Sequence, residues 1–282
     1  MRMRIDCHQH FWNYDPATYP WITDQMAVLK RAYTPSDLLP ELAAAEIEST
    51  VAVQVRQSES ENFFLLELAE RYRQIAGIVG WVDLSAPKLP ERLALFAGYA
   101  KVRGFRHVVQ DEPDDNFLVR KAILEGIASL KEYGFTYDIL IYPRQLPAAI
   151  RLVEALPDQP FAIDHIAKPA IKTKEIGTWS RHIQTVAANR NVYCKISGLI
   201  TEADWSDWRA EDFYPYLDVV FEAFGPDRLM FGSDWPVCLL AGTYQQVLRI
   251  VDDYTRNLRP EERENIFGNN AARFYRLNSN AT

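Results

Sequence analysis

The sequence predicts an α/β fold, a single (β/α)8 TIM barrel, and three observations carry that expectation. The chain has 282 residues, close to the roughly 250 that one such barrel needs. Hydrophobic residues make up 48% of it, enough for one large core. Short β-rich runs alternate with amphipathic stretches, the pattern of βα units feeding a parallel sheet. With no linker or low-complexity segment between them, residues 1–282 read as one domain.

Eight runs qualify as strands: 4–7, 50–55, 75–82, 102–108, 135–141, 161–164, 192–196 and 229–232. Helical segments are expected at 35–45 and 63–72, opened by Thr34 and Asn62 as caps, and at 118–132, 146–155, 176–189, 213–224 and 243–257. The tail 260–275 reads as a final helical pair, with Gly268, Asn269 and Asn270 marking the turn between its halves. The segment 11–31, rich in aromatics and proline, is too long for an ordinary βα connection and is expected to cover the barrel mouth.

Charge narrows the partners. There are 31 basic and 38 acidic residues, a net −7, and the two signs are interspersed. No basic face for nucleic acid or anionic lipid results, so a small soluble ligand is expected. The start Met1-Arg2-Met3-Arg4-Ile5-Asp6 meets polar residues before an apolar leader core can form, and no stretch approaches the roughly 18 apolar residues of a membrane span. A cytoplasmic protein is expected, with no membrane partner. Cys7, Cys194 and Cys238 show no CxxC spacing and are read as reduced thiols, the first two as small buried groups on strands.

In a barrel of this kind the chemistry sits at the C-terminal ends of the strands. After the first run comes His8-Gln9-His10, whose i, i+2 spacing in an extended chain turns both imidazoles to one face. After the sixth comes Asp164-His165, followed by Lys168 and Pro169, and after the eighth comes Gly232-Ser233-Asp234-Trp235-Pro236. Three of the five histidines and an aspartate therefore gather on one side, and such groups are costly to bury without partners. His107 ends the fourth run and is a candidate to bind substrate, whereas His182 falls in a polar helix and is expected to be solvated.

The segments His8-Gln9-His10-Phe11-Trp12, Gly80-Trp81-Val82-Asp83-Leu84, Gly104-Phe105-Arg106-His107, Asp164-His165-Ile166-Ala167-Lys168-Pro169, Lys195-Ile196-Ser197-Gly198-Leu199 and Gly225 to Pro236 closely resemble the lactonase branch of the amidohydrolase superfamily. Within it the chain is most similar to the L-fuconolactonase and L-rhamnonolactonase group. The resemblance implies an amidohydrolase-type barrel that opens sugar-acid lactones. In the wider superfamily the first-strand HxH, middle-strand histidines and the last-strand aspartate hold one or two divalent metals. This chain departs from that pattern: Tyr142 follows the fifth run where a ligand histidine is expected, and the seventh carries Lys195. A binuclear centre is not expected. What remains suits either a single zinc on His8, His10, His165 and Asp234, or catalysis without a metal, as the resemblance also implies.

Asp234 is the expected general base, with His8, His10 and His165 polarising the carbonyl directly or through zinc. Gln54, Arg56, His107, Gln110, Tyr142, Lys168 and Lys195 are the candidates to bind substrate hydroxyls. Trp12, Trp21 and Trp235 are candidates to pack against a sugar ring, and Trp205 and Trp208 belong to the loop after the seventh strand. Ser197 and Ser233 lack the G-x-S-x-G elbow of a nucleophilic serine, and no G-x-G-x-x-G follows the first strand. Two rivals stand beside the lactonase reading: a metal-dependent decarboxylase of the same superfamily, and a barrel that binds a sugar acid without turnover. A homo-oligomer is compatible with either.

Overall fold

β-branched and small apolar residues dominate the predicted runs, and in the computed structural model, which describes residues 4–277, those runs form the strands. Residues 1–3, on which part of the expectation of no leader falls, and residues 278–282 lie outside the described part. The strands are β1 (Ile5–Gln9), β2 (Ser49–Val53), β3 (Ile75–Gly80), β4 (Val102–Val108), β5 (Thr136–Leu140), β6 (Phe161–Ile163), β7 (Val192–Ile196) and β8 (Leu229–Phe231). They pair in parallel in the order β1 to β8. The last seam is made by residues beyond β8: Asp234 N donates to His8 O at 2.8 Å and His10 N donates to Trp235 O at 2.7 Å. The chain is thus a (β/α)8 barrel, as the sequence predicts.

Helices α1 (Pro35–Ala44), α2 (Glu59–Arg71), α3 (Leu89–Ala97), α4 (Lys121–Leu130), α5 (Leu146–Ala155), α6 (Gly177–Ala187), α7 (Ala210–Phe224) and α8 (Tyr244–Tyr254) alternate with the strands. Thr34 caps α1 in a reciprocal pair with Asp37, as its place in the sequence suggests. Asn62 does not cap α2. Ser58 does, accepting from Ser60 N, while the buried Asn62 amide bonds both the N–H and the C=O of Trp81. Helix α3 was not anticipated, because Pro87, Pro90 and Gly98 break its pattern; Pro90 sits in the first turn, where a proline is tolerated.

The C-terminal segment also differs from expectation. Helices α9 (Pro260–Glu264) and α10 (Asn270–Phe274) are joined by a π-helical turn at Asn265–Asn269 rather than separated by a break. Asn270 is buried and donates to the carbonyls of Pro226 and Leu229, which ties the segment to the approach of β8. Phe274, Tyr275 and Leu277 join residues of β1, β2, β3, β6 and β8 in a second core, distinct from the main one between sheet and helices. At the other end, segment 11–31 folds over the mouth, with Trp12 bridged to Tyr33 and a 3-10 turn at Asp24–Leu29.

Candidate active site

A cavity of about 360 Å³ opens at the C-terminal ends of the strands. His10, Arg106, His165, Lys168 and Asp234 supply its charged and imidazole groups, Gln57, Gln110 and Asp111 its rim, and Trp21, Met26, Val55, Leu140 and Val237 its apolar wall. The aromatic-rich mouth segment therefore contributes Trp21 and Met26 directly.

Asp234 is the focus. Its Oδ1 lies 3.3 Å from His10 Nε2 and 3.8 Å from the Nε2 atoms of both His8 and His165. The carboxylate is aimed by an unusual backbone: Asp234 has φ 56°, fixed by its N–H on His8 O and its C=O accepting from Cys238 N at 2.9 Å. Beneath it, Ser233 N and Oγ both donate to buried Asp6, which also accepts from His8 N and the Tyr244 hydroxyl. Burial works to raise the Asp234 pKa, but the surrounding imidazoles, His165 first, hold it well below the usual carboxylate range. It is ionised at neutral pH.

His165 reaches the same point by a different device. Residues His165, Ile166, Ala167 and Lys168 all have φ between 48° and 59°, a left-handed turn of four L-residues. Each such residue costs roughly 1–2 kcal/mol, so the turn persists only because its surroundings hold it. Trp179 Nε1 donates to Ile166 O at 2.8 Å, and Lys168 N donates to His165 O at 2.8 Å. With about three residues per turn, positions i and i+3 share a side, which brings both His165 and Lys168 onto the cavity wall. Burial keeps His165 neutral, its pKa pushed down to about 4.

Below the cavity lies a buried charge ladder that was only partly legible. Arg106 Nη1 donates to Asp164 Oδ2 at 3.0 Å and lies 3.2 Å from His8 Nε2; its other amino group bonds Gln54 O. Lys195 Nζ lies 2.5 Å from Asp138 Oδ2, 2.9 Å from Asp164 Oδ1 and 3.1 Å from His8 Nδ1. Burial and then Lys195 drive the His8 pKa well down, so this ring too is neutral.

The expected site residues separate accordingly. His8, His10, His165 and Asp234 come together, and Gln110 and Lys168 line the cavity; Lys168 pairs with Glu202 at 3.5 Å. Six others stand apart from its lining. Lys195 is fully buried under His8, and Gln54 is spent on the Arg106 backbone. Arg56 pairs with Glu61, Tyr142 stacks against the Arg144 and Lys168 cations, and Trp235 packs on Phe11 and Tyr33. His107 is held by Glu112 at 2.7 Å and by Trp81 and is stacked on Phe117. Its neighbour Arg106 faces the cavity instead. Ser197 and Ser233 serve as partners of His165 and Asp6, not as exposed nucleophiles. The three cysteines are buried and free.

A zinc ion fits the donor set by spacing and atom type. Ligand atoms sharing one zinc stand roughly 3.3–3.5 Å apart, given bonds of about 2.0–2.2 Å, and the three Nε2 atoms lie 3.3–3.8 Å from Asp234 Oδ1. His10 Nδ1 donates to Val53 O at 2.8 Å, which leaves Nε2 free as a ligand and supplies the outer hydrogen bond that metal-binding histidines use. Buried His8, His10 and Asp234 form one such grouping.

A barrel closed by its own last-strand aspartate, with a first-strand HxH turned toward it, defines an amidohydrolase, and the chain belongs to the amidohydrolase family, matched over residues 5–277. Two curated relatives are L-fucono-1,5-lactonases: one from Burkholderia multivorans, 43% identical over 98% of this chain and 96% of its own, and one from Burkholderia ambifaria, 36% identical over 98% and 97%. An amidohydrolase from Burkholderia multivorans, solved once with bound HEPES and once with bound zinc, superposes with a TM-score of 0.94 at 43% identity, covering 98% of this chain and 100% of its own.

Proposed function

We propose that this chain hydrolyses a sugar-acid lactone of the L-fucono type to its aldonate, with residues 1–282 working as one barrel domain in the cytoplasm. Among the described residues no helix is long and apolar enough to cross a membrane. The observation that carries the reading is an ionised Asp234 ringed by three imidazoles beside the fixed guanidinium of Arg106, with Asp234, His10, His165 and Arg106 lining one cavity. The names of the two curated relatives support the substrate class.

Asp234 takes a proton from water as the oxygen attacks the lactone carbonyl, and the electron pair moves onto the carbonyl oxygen. Arg106 and His165 face that oxyanion from fixed positions, where donors are worth most. On collapse the bond to the ring oxygen breaks, and the alkoxide recovers the proton from Asp234. Lys168 and Gln110 bind hydroxyls, and Trp21 and Met26 cover the apolar face of the ring. His8, His10, His165 and Asp234 would hold a zinc ion, which when bound polarises carbonyl and water.

The decarboxylase rival needs a further histidine where this chain has Tyr142 or Lys195, and Lys195 is instead paired with Asp138. A pure binding barrel for a neutral lactone has little use for a buried, ionised Asp234. The test is acid release from a panel of aldonolactones, read by pH indicator before and after a chelator, with metal content measured on the same sample. Turnover of L-fucono- or L-rhamnonolactone is expected; failure with every lactone overturns the proposal.

A further inference from the structure

His8 faces a hydrogen-bond donor at each ring nitrogen: Lys195 Nζ at 3.1 Å from Nδ1 and Arg106 Nη1 at 3.2 Å from Nε2. A neutral imidazole accepts at one nitrogen only. Arg106 lines the cavity, so its N–H can serve water or substrate instead. Lys195 has no such outlet. It is fully buried, and its N–H groups have two hydrogen-bond acceptors, Asp138 Oδ2 and His8 Nδ1, beside the ion pair with Asp164 Oδ1 at 2.9 Å. Leaving one unused costs about 1–3 kcal/mol. In the metal-free chain Nδ1 therefore accepts from Lys195, and the ring hydrogen sits on Nε2, on the Asp234 side.

What holds Lys195 there reaches back to the end of the described chain. Asp138 Oδ2 accepts from both Lys195 and the hydroxyl of Tyr275, the latter at 2.7 Å, while Asp138 Oδ1 has no hydrogen-bond partner among the described residues. Tyr275 is fully buried, just past α10, and its ring also faces the Lys195 ammonium at 5.5 Å. The carboxylate that aims Lys195 is thus held by two donors, one of which the C-terminal segment delivers from below the barrel.

We propose that Tyr275 is a positioning residue for the active site, acting through Asp138 and Lys195 to fix the ring hydrogen of His8. The inference rests on the assignment of His8 to the reacting site. Without the hydroxyl, Asp138 turns, Lys195 follows it away from Nδ1, and His8 becomes free to place its hydrogen on Nδ1 toward Asp164 Oδ1, 3.4 Å away.

The test compares wild type, Tyr275→Phe and Leu277→Ala as full-length, chelator-treated proteins of measured metal content. Leu277→Ala loosens the same core without touching the polar ladder. Histidine ring ¹⁵N chemical shifts report the tautomer, with His8 assigned by its loss in His8→Asn, and turnover is measured on the best lactone. Tyr275→Phe is expected to move the His8 signals toward the Nδ1–H form and to lower kcat about ten- to a hundredfold, with KM changed less than about twofold. Leu277→Ala should lower the melting temperature with kcat and His8 shifts retained. Unchanged His8 shifts and kcat in Tyr275→Phe, or equal kcat losses in both variants, would overturn the proposal. A wild type inactive on every lactone sinks the lactonase reading alone, since the shifts still report on His8.

Discussion

His10 Nε2 and Asp234 Oδ1 stand 3.3 Å apart, while His10 Nδ1 donates to the Val53 carbonyl at 2.8 Å and so holds the ring with Nε2 toward the carboxylate. The imidazole and the carboxylate thus face one another across the point where the proton of the attacking water is to be received.

Replacing Asp234 by Asn puts an amide hydrogen where that proton would go, so the variant should fold and still bind lactone. Its kcat should fall by about 10²–10⁴-fold, the usual contribution of a general base. Steady-state kinetics with binding measured by calorimetry checks this, and surviving turnover would remove Asp234 from the mechanism.

Arg106→Met removes the fixed cation and leaves buried Asp164 with one of its two cationic partners, Lys195. Loss of one oxyanion donor should lower kcat about 10²–10³-fold. The variant should also melt at lower temperature, since breaking one side of a buried pair costs roughly 3–5 kcal/mol. Kinetics alongside thermal melts separates the two effects: full activity at reduced stability would make Arg106 a scaffold only.

Gly198 has φ +64°, and a Cβ built on it would lie 2.7 Å from the His165 ring. Gly198→Ala must therefore push His165 off the cavity wall or unwind the left-handed turn that carries it. A kcat loss of about 10²-fold is expected from a shift of that size. Wild-type rates in the alanine variant would show that the position of His165 is not critical.

The acid side of the pH profile is set by His165. Its folded pKa is lowered to about 4, so it is neutral above that value and becomes charged only below it. Asp234 stays ionised across the same range. Lactone hydrolysis should accordingly hold through pH 5 and fall as the pH drops through about 4, measured as kcat/KM with circular dichroism confirming the fold at each point. A fall centred at the ordinary histidine value of about 6.5 would contradict the buried, neutral ring.

The sequence by itself determined the barrel, its eight strands, the mouth segment and the four groups that converge at its centre. Each rests on short-range rules: alternation of strand and helix, i, i+2 spacing on β1, and the placement of chemistry at strand ends. Only the tertiary structure decided which neighbour on a strand looks inward. Strands of a parallel barrel are buried on both faces, β2 and β5 along their whole length, so alternation of polar and apolar residues does not announce the facing side. That is why the sequence points to His107 while Arg106 lines the cavity, and why nothing local shows that Lys195 is buried beneath His8. The Asp138, Lys195 and Tyr275 ladder joins residues 57, 80 and 137 positions apart. Closure of the barrel makes those contacts, and no local pattern encodes them.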